Sequence, residues 1–159
     1  IIAGKLLTSI SEEVLPALKR LPKQVIHNDL NLHNAFSQGA EVSGVIDFGD
    51  MIEAQRVIDP ATLCSYLICE DSNPFRLARM AAQSYHKTFA LLPEELSIIP
   101  DLVVARSLLT ILITSERAER FPVNAAYILR NQKLAWFVLE LKANLDDEFT
   151  NHFWGTTDV

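Results

Sequence analysis

The sequence predicts a mainly helical α+β fold in one domain spanning residues 1–159. Apolar residues recur at helical spacing through most of the chain, and the strand-like patterns are short and confined to residues 24–46. With 49% hydrophobic and 21% charged residues, the composition is that of an ordinary globule rather than a disordered chain.

Ser9-Ile10-Ser11-Glu12 has the form of a capping box, which predicts a helix that buries Val14, Leu15, Leu18 and Leu21 and ends near Pro22. Residues 24–27 then read as a strand, residues 28–33 as a loop, residues 34–37 as a second strand and residues 42–46 as a third, with a Gln38-Gly39 turn between the last two. The expectation is a small β-hairpin insert in a helical domain. Asp59-Pro60 reads as a helix N-cap followed by the one helical position that suits proline, with Leu63, Leu67 and Ile68 facing inward. Asn73-Pro74 opens a helix to about Leu92, its stripe formed by Leu77, Met80, Ala81, Tyr85 and Phe89 and its end set by Pro93. Residues 94–120, interrupted near Pro100, and residues 124–146 supply two longer helices, and Trp136 and Phe137 are expected in the core.

The formal charge of −6, with fourteen scattered Lys and Arg, argues against a nucleic-acid partner. Uninterrupted apolar runs such as residues 108–113 are too short to span a bilayer, so no membrane partner is expected. Cys64 and Cys69 lack the neighbours of a zinc or redox motif and read as reduced thiols, which sets a cytoplasmic location as the expectation. His86 and His152 read as structural, and Glu116, Arg117, Glu119 and Arg120 as a solvated face.

The stretch that concentrates polar chemistry runs from Val25 to Asn34 and is answered by Val45-Ile46-Asp47-Phe48-Gly49-Asp50. Each half is an apolar run that delivers carboxylates or carboxamides to a loop. Asp29 at a strand-to-loop corner has the chemistry of a base for a hydroxyl proton, while Asn34 and Asp47 offer hard oxygens that suit Mg²⁺, with Gly49 expected to let the backbone turn. A base, two metal-ligating oxygens and a nucleotide suffice for phosphoryl transfer, which depends on positioning and charge neutralisation. Asp50 and Glu53 are candidates to receive a substrate amine, Asn31 is a candidate substrate contact, and Asp59 is a candidate brace for the loop carrying Asp47.

The spacing of His27, Asp29 and Asn34, followed by Ile46-Asp47-Phe48-Gly49, resembles the His-x-Asp-x-x-x-x-Asn and Asp-Phe-Gly pair of protein-kinase-like enzymes. Having no Arg after the His, and having Ile before the second Asp, resembles the aminoglycoside phosphotransferase and choline kinase group of small-molecule kinases. Gly44 to Met51, followed by Arg56-Val57-Ile58-Asp59, looks most like its hydroxylysine-kinase-type branch. The resemblance covers about residues 25–66 and implies a protein-kinase-like C-terminal lobe. It implies Asp29 as catalytic base, Asn34 and Asp47 as Mg²⁺ ligands, His27 as the packing histidine of the loop, and ATP or GTP as donor. The implied acceptor is a hydroxyl on a small amino-containing metabolite such as hydroxylysine, an aminoglycoside, choline or a homoserine-like compound. Asn28 stands where many relatives have Gly, and Asn31 where they have His.

Neither a Gly-rich phosphate loop nor a strand Lys with a partner Glu precedes the motif, and the chain opens on Ile1 rather than Met. The expectation is therefore a lobe whose N-terminal nucleotide lobe is absent from this chain, inactive alone, with an uncovered face that would suit a homodimer. The alternative is a non-catalytic, pseudokinase-type binding or interaction module. A metal-dependent phosphohydrolase fits less well, because two-metal sites recruit more His and Asp ligands than the sequence offers.

Overall fold

The computed structural model describes residues 2–155, with side chains described from residue 4. The chain opens with α1 (Ile2–Ser9), a π-helical turn (Ile10–Val14) and α2 (Leu15–Leu18). This corrects the expected capping box: Ser9 is already helical, and its hydroxyl bonds Glu13 Oε2 at 3.1 Å instead of a backbone N–H. Pro16, which has no N–H to donate, follows the wide turn directly, and the Leu15 N–H reaches back to the Ile10 carbonyl. Val14 and Leu18 are buried, whereas Leu15 is exposed.

Four short strands follow in two separate antiparallel pairs. β1 (Lys23–Ile26) pairs with β4 (Ile52–Gln55), Ile26 lying opposite Ile52, and β2 (Ala35–Gln38) pairs with β3 (Glu41–Val45) around Gly39. The hairpin matches the sequence expectation; β4 is an addition to it. Residues 52–55 alternate apolar and polar, but over only four positions, too few to mark a strand alone, and pairing with β1 is what makes them one. A short 3₁₀ turn, Phe48–Asp50, joins the two sheets. Val25, Phe36, Val42, Ile46 and Phe48 on these elements are exposed apolar side chains.

The rest is helical: α3 (Ile58–Leu67), α4 (Arg76–Thr88), α5 (Pro93–Arg120), α6 (Ala125–Ile128), α7 (Gln132–Leu145) and α8 (Phe149–Trp154). α5 is the axis, packed against α3 and α7. It runs unbroken through Pro100, contrary to expectation, because the segment around the proline is the most deeply buried part of the helix: Ile99 and Pro100 are inaccessible and Ile98, Leu102 and Val103 are buried. Apolar burial over that stretch outweighs one lost helical hydrogen bond. α5 is long and apolar enough to span a membrane, a property its interrupted apolar runs conceal, yet half of its most apolar window is buried inside the protein, as in a core helix.

Other packing faces differ from the periodicity. The α4 stripe is partly rotated: Ala81 and Tyr85 pack against the core as expected, but Ala78 and Ala82 are the fully buried residues and Leu77, Met80 and Phe89 are exposed. The small residues let α4 lie against α3, where the Cys64 thiol donates to the Ala78 carbonyl at 3.2 Å. Burial pushes that thiol up to about 12, and both cysteines are free. Trp136 is half-exposed, not core; Ala135, Val138 and Leu139 form the buried face of α7, with Phe137 packed at its edge. The helix expected over residues 124–146 is divided into α6, a 3₁₀ turn and α7, and α8 follows Asp146, whose φ is +43°. Phe75 meets Phe149 edge-on at 5.2 Å, and Arg79 donates to the Phe153 and His152 carbonyls at 2.7 and 2.9 Å, fastening α8 to α4.

Candidate active site

The loop between β1 and β2 is suspended from α3. The Asp59 carboxylate accepts the His27 N–H at 3.0 Å and the Asn28 N–H at 2.8 Å. Asp59 is thus not the helix cap, since Val57 occupies that position without a side-chain bond; the carboxylate is turned instead toward the loop that carries Asp29, not the one that carries Asp47. Asn28 has φ +67°, a left-handed conformation that glycine adopts freely and Asn tolerates better than most residues.

His27 ties the two polar loops together. Its Nδ1 faces the Asp29 N–H at 3.4 Å and its Nε2 lies 2.9 Å from the Ile46 carbonyl. An N–H donor on one side and a carbonyl acceptor on the other select the neutral ring with its proton on Nε2. The ring also packs against Phe48 at 5.2 Å, and the Ile46 N–H donates to the Asn34 carbonyl at 2.9 Å. The residue after β3 is therefore tied through His27 to the end of β1 and through Asn34 to the start of β2.

Asp29 sits at the centre of this frame, three-quarters buried. Its Oδ1 pairs with Arg106 Nη2 of α5 at 2.5 Å. On the other side, Asn31 Nδ2 and Asn34 Nδ2 approach Oδ2 at 3.2 and 3.4 Å and donate to the Asp29 carbonyl at 3.0 and 2.9 Å. Asn31 Oδ1 accepts the His33 N–H at 2.8 Å, so both ends of this buried carboxamide are committed within the loop rather than turned to a substrate. Asn34 is buried too, but only its nitrogen is engaged, which leaves Oδ1 as the atom it presents.

Asp47 has φ +66°, so the turn expected at Gly49 is made, in left-handed form, by the aspartate itself. A Cβ at Gly49 would meet Asp47 Oδ1 at 3.7 Å, ordinary contact, and nothing in the packing demands glycine there. The Asp47 side chain is exposed and makes no hydrogen bond or ion pair among the described residues. Asp50, on the 3₁₀ turn, and Glu53, on β4 opposite Val25, are exposed as well, and no hydrogen bond joins either to Asp29, Asn34 or Asp47. Among the described residues, no group of three His, Cys, Asp or Glu side chains converges as a metal site. The donors present are one carboxylate and one carboxamide oxygen, which fit a hard cation that completes its shell with phosphate oxygens and water.

Two residues that sequence reasoning passed over complete the surroundings. Arg106 is the only charged residue between Asp101 and Glu116, and an isolated cation in an apolar helical run signals a buried partner or a site. Its Nε is buried without a hydrogen-bond partner among the described residues, and the side chain lines a cavity of about 440 Å³ with Asn28, Thr62, Leu7, Ile10 and Leu109. Glu95 is fully buried where Arg56 reaches it, with Nε to Oε1 at 2.8 Å and Nη2 to Oε2 at 2.6 Å. Burial raises the Glu95 carboxyl, but the Arg56 hydrogen bonds, the Leu92 N–H and the Arg56 charge outweigh it and hold it below the usual carboxylate range.

Comparison with known proteins gives the family. Residues 4–94 match the family model described as the phosphotransferase enzyme family. Hydroxylysine kinase from Mus musculus is 24% identical over 98% of the chain, that from Bos taurus 22% over 98%, and that from Xenopus laevis 24% over 98%. The chain spans 44% of the length of each of these relatives. No solved structure matches it. Because the family match takes in both polar loops and more than half of the 159 residues, the chain belongs to the phosphotransferase enzyme family.

Proposed function

We propose that residues 1–159 form the C-terminal, catalytic-loop and acceptor-binding lobe of a small-molecule kinase with a protein-kinase-like fold. The enzyme moves the γ-phosphoryl of ATP or GTP to a hydroxyl on an amino-containing metabolite. The observation that carries this reading is the interlock of the two loops, in which His27 and Asn34 bond the Ile46 carbonyl and N–H, each at 2.9 Å, and so hang Asp29, Asn34 and Asp47 from one short frame. The hydroxylysine kinases among the relatives make hydroxylysine the first acceptor to test.

In this reading Asp29 takes the hydroxyl proton on a carboxylate oxygen as the acceptor oxygen bonds to the γ-phosphorus. The bond from that phosphorus to the β-phosphate oxygen breaks, and nucleoside diphosphate leaves. The carboxamides of Asn31 and Asn34 hold the carboxylate in place beforehand, which limits the entropy lost on reaching the transition state. Asn34 Oδ1 and the Asp47 carboxylate would hold Mg²⁺, whose charge, when it is bound, offsets that of the phosphates. Asp50 and Glu53 on the exposed rim would receive the acceptor's amine. A nucleotide lobe seated on the strands would cover Val25, Phe36, Val42, Ile46 and Phe48, and exposed apolar groups clustered in this way favour such a partner.

The test is transfer itself. The chain extended by the residues encoded upstream of it, given Mg²⁺, ATP or GTP, and hydroxylysine, is expected to form the phosphorylated amino acid. Chelating the metal should stop the reaction, and the chain of 159 residues alone should form little product. No transfer by the extended chain to hydroxylysine, choline, homoserine or an aminoglycoside would contradict the reading. Nucleotide binding without any transfer would favour a non-catalytic module.

A further inference from the structure

Arg106 reaches Asp29 with one nitrogen only. A guanidinium carries five N–H donors in a planar fork suited to two-point binding of a carboxylate, yet here Nη2 meets Asp29 Oδ1 at 2.5 Å and Nε is buried with no acceptor. A buried, unsatisfied donor on a charged group is costly, and in a native site it is commonly met by a ligand. The space for one adjoins it. The same side chain lines the partly open cavity of about 440 Å³ between α1, the π turn, α2, α3, α5 and the loop at Asn28, whose walls are apolar apart from Ser11, Asn28, Thr62 and Arg106. That volume and that balance of apolar wall with few polar groups are typical of a small-molecule pocket. Asn28 contributes to both the cavity and the loop that carries Asp29, so an occupant of the cavity would lie beside the proposed base.

Resting on the kinase reading above, we propose that Arg106 is the receptor for a carboxylate on the acceptor and, in the empty site, a lock on Asp29. The acceptor class is then a hydroxy-amino acid, its aliphatic stem against the apolar wall. Its carboxylate satisfies the Nε–H that no group among the described residues meets and competes with Asp29 Oδ1 for the guanidinium, so that binding of the correct acceptor releases that oxygen toward the hydroxyl. An acceptor without a carboxylate gains neither the ion pair nor the release.

Calorimetric titration of the extended chain with hydroxylysine and with its decarboxylated amine tests this. The unaltered protein should bind hydroxylysine more tightly. Arg106→Gln should weaken hydroxylysine binding by about tenfold to a hundredfold, the usual loss for a hydrogen bond to a charged group, while the amine, which has no carboxylate for the guanidinium to bind, should not bind more weakly. Arg106→Lys, which keeps the charge but not the fork, should fall between the two and guards against a folding defect in the glutamine variant. Failure of the unaltered protein to prefer hydroxylysine, or equal weakening of both ligands in either variant, would overturn the proposal. The kinase reading would survive that outcome, because it is tested by phosphoryl transfer to whichever acceptor is used.

Discussion

Two arginine–carboxylate pairs bracket the buried half of α5, and they are built differently. At its start, Arg56 binds both oxygens of Glu95, donates to the Ala90 carbonyl at 3.1 Å and lies over the Phe89 ring at 4.9 Å, while the Leu92 N–H adds a bond to Glu95 at 2.8 Å. Further along, Arg106 meets Asp29 through one nitrogen and keeps a buried Nε without a partner, beside a cavity. The first pair fastens the start of α3 to the start of α5 and has little capacity left for a ligand. The second has donor capacity in reserve next to open space. Charge is common to both and the first pair is the more deeply buried; what marks the second as a site is its unused hydrogen-bonding capacity and the room beside it.

Breaking the two pairs should therefore have unequal costs. Glu95→Ala strands the Arg56 guanidinium in the interior, and urea denaturation should show a loss of about 3–5 kcal/mol, the usual penalty for removing one partner of a buried pair. Arg106→Gln, at a pair whose side chains are 30% and 24% exposed, should cost about 1 kcal/mol or less. Equal losses would erase the distinction.

Acid sharpens the comparison at a smaller scale. The Glu95 carboxyl is held below its ordinary value of 4.5, so the stability it contributes is fully present above that value and is lost as pH falls through the depressed one. The stability gap between the unaltered protein and Glu95→Gln should thus be constant near neutrality and narrow once the pH drops below the ordinary carboxylate range. A gap that narrows already near neutrality would show that the arginine does not depress the carboxyl as described.

The parts legible in the sequence were those set by neighbours along the chain. The hairpin around Gly39 and the positions of His27, Asp29, Asn34 and Asp47 on loops at strand ends follow from short apolar runs and turn residues. Contacts made across the fold were not legible. Strand β4 exists because β1 pairs with it, and Asp59, which reads locally as a helix cap, is drawn to the N–H groups of His27 and Asn28. On α4 the large residues suggested the wrong face, since close packing against α3 selects the small Ala78 and Ala82. Arg106 lies far from Asp29 in sequence, and only its isolation in an apolar run marked it.

The most direct test of the proposed site is Asp29→Asn in the extended chain, with phosphoryl transfer to hydroxylysine and nucleotide binding measured on the same samples. Transfer should fall by about a hundredfold to ten-thousandfold, as for loss of a general base, while nucleotide affinity is unchanged. Transfer at the unaltered rate would contradict the assignment of Asp29 as the base and, with it, the reading of the two interlocked loops as one phosphoryl-transfer site.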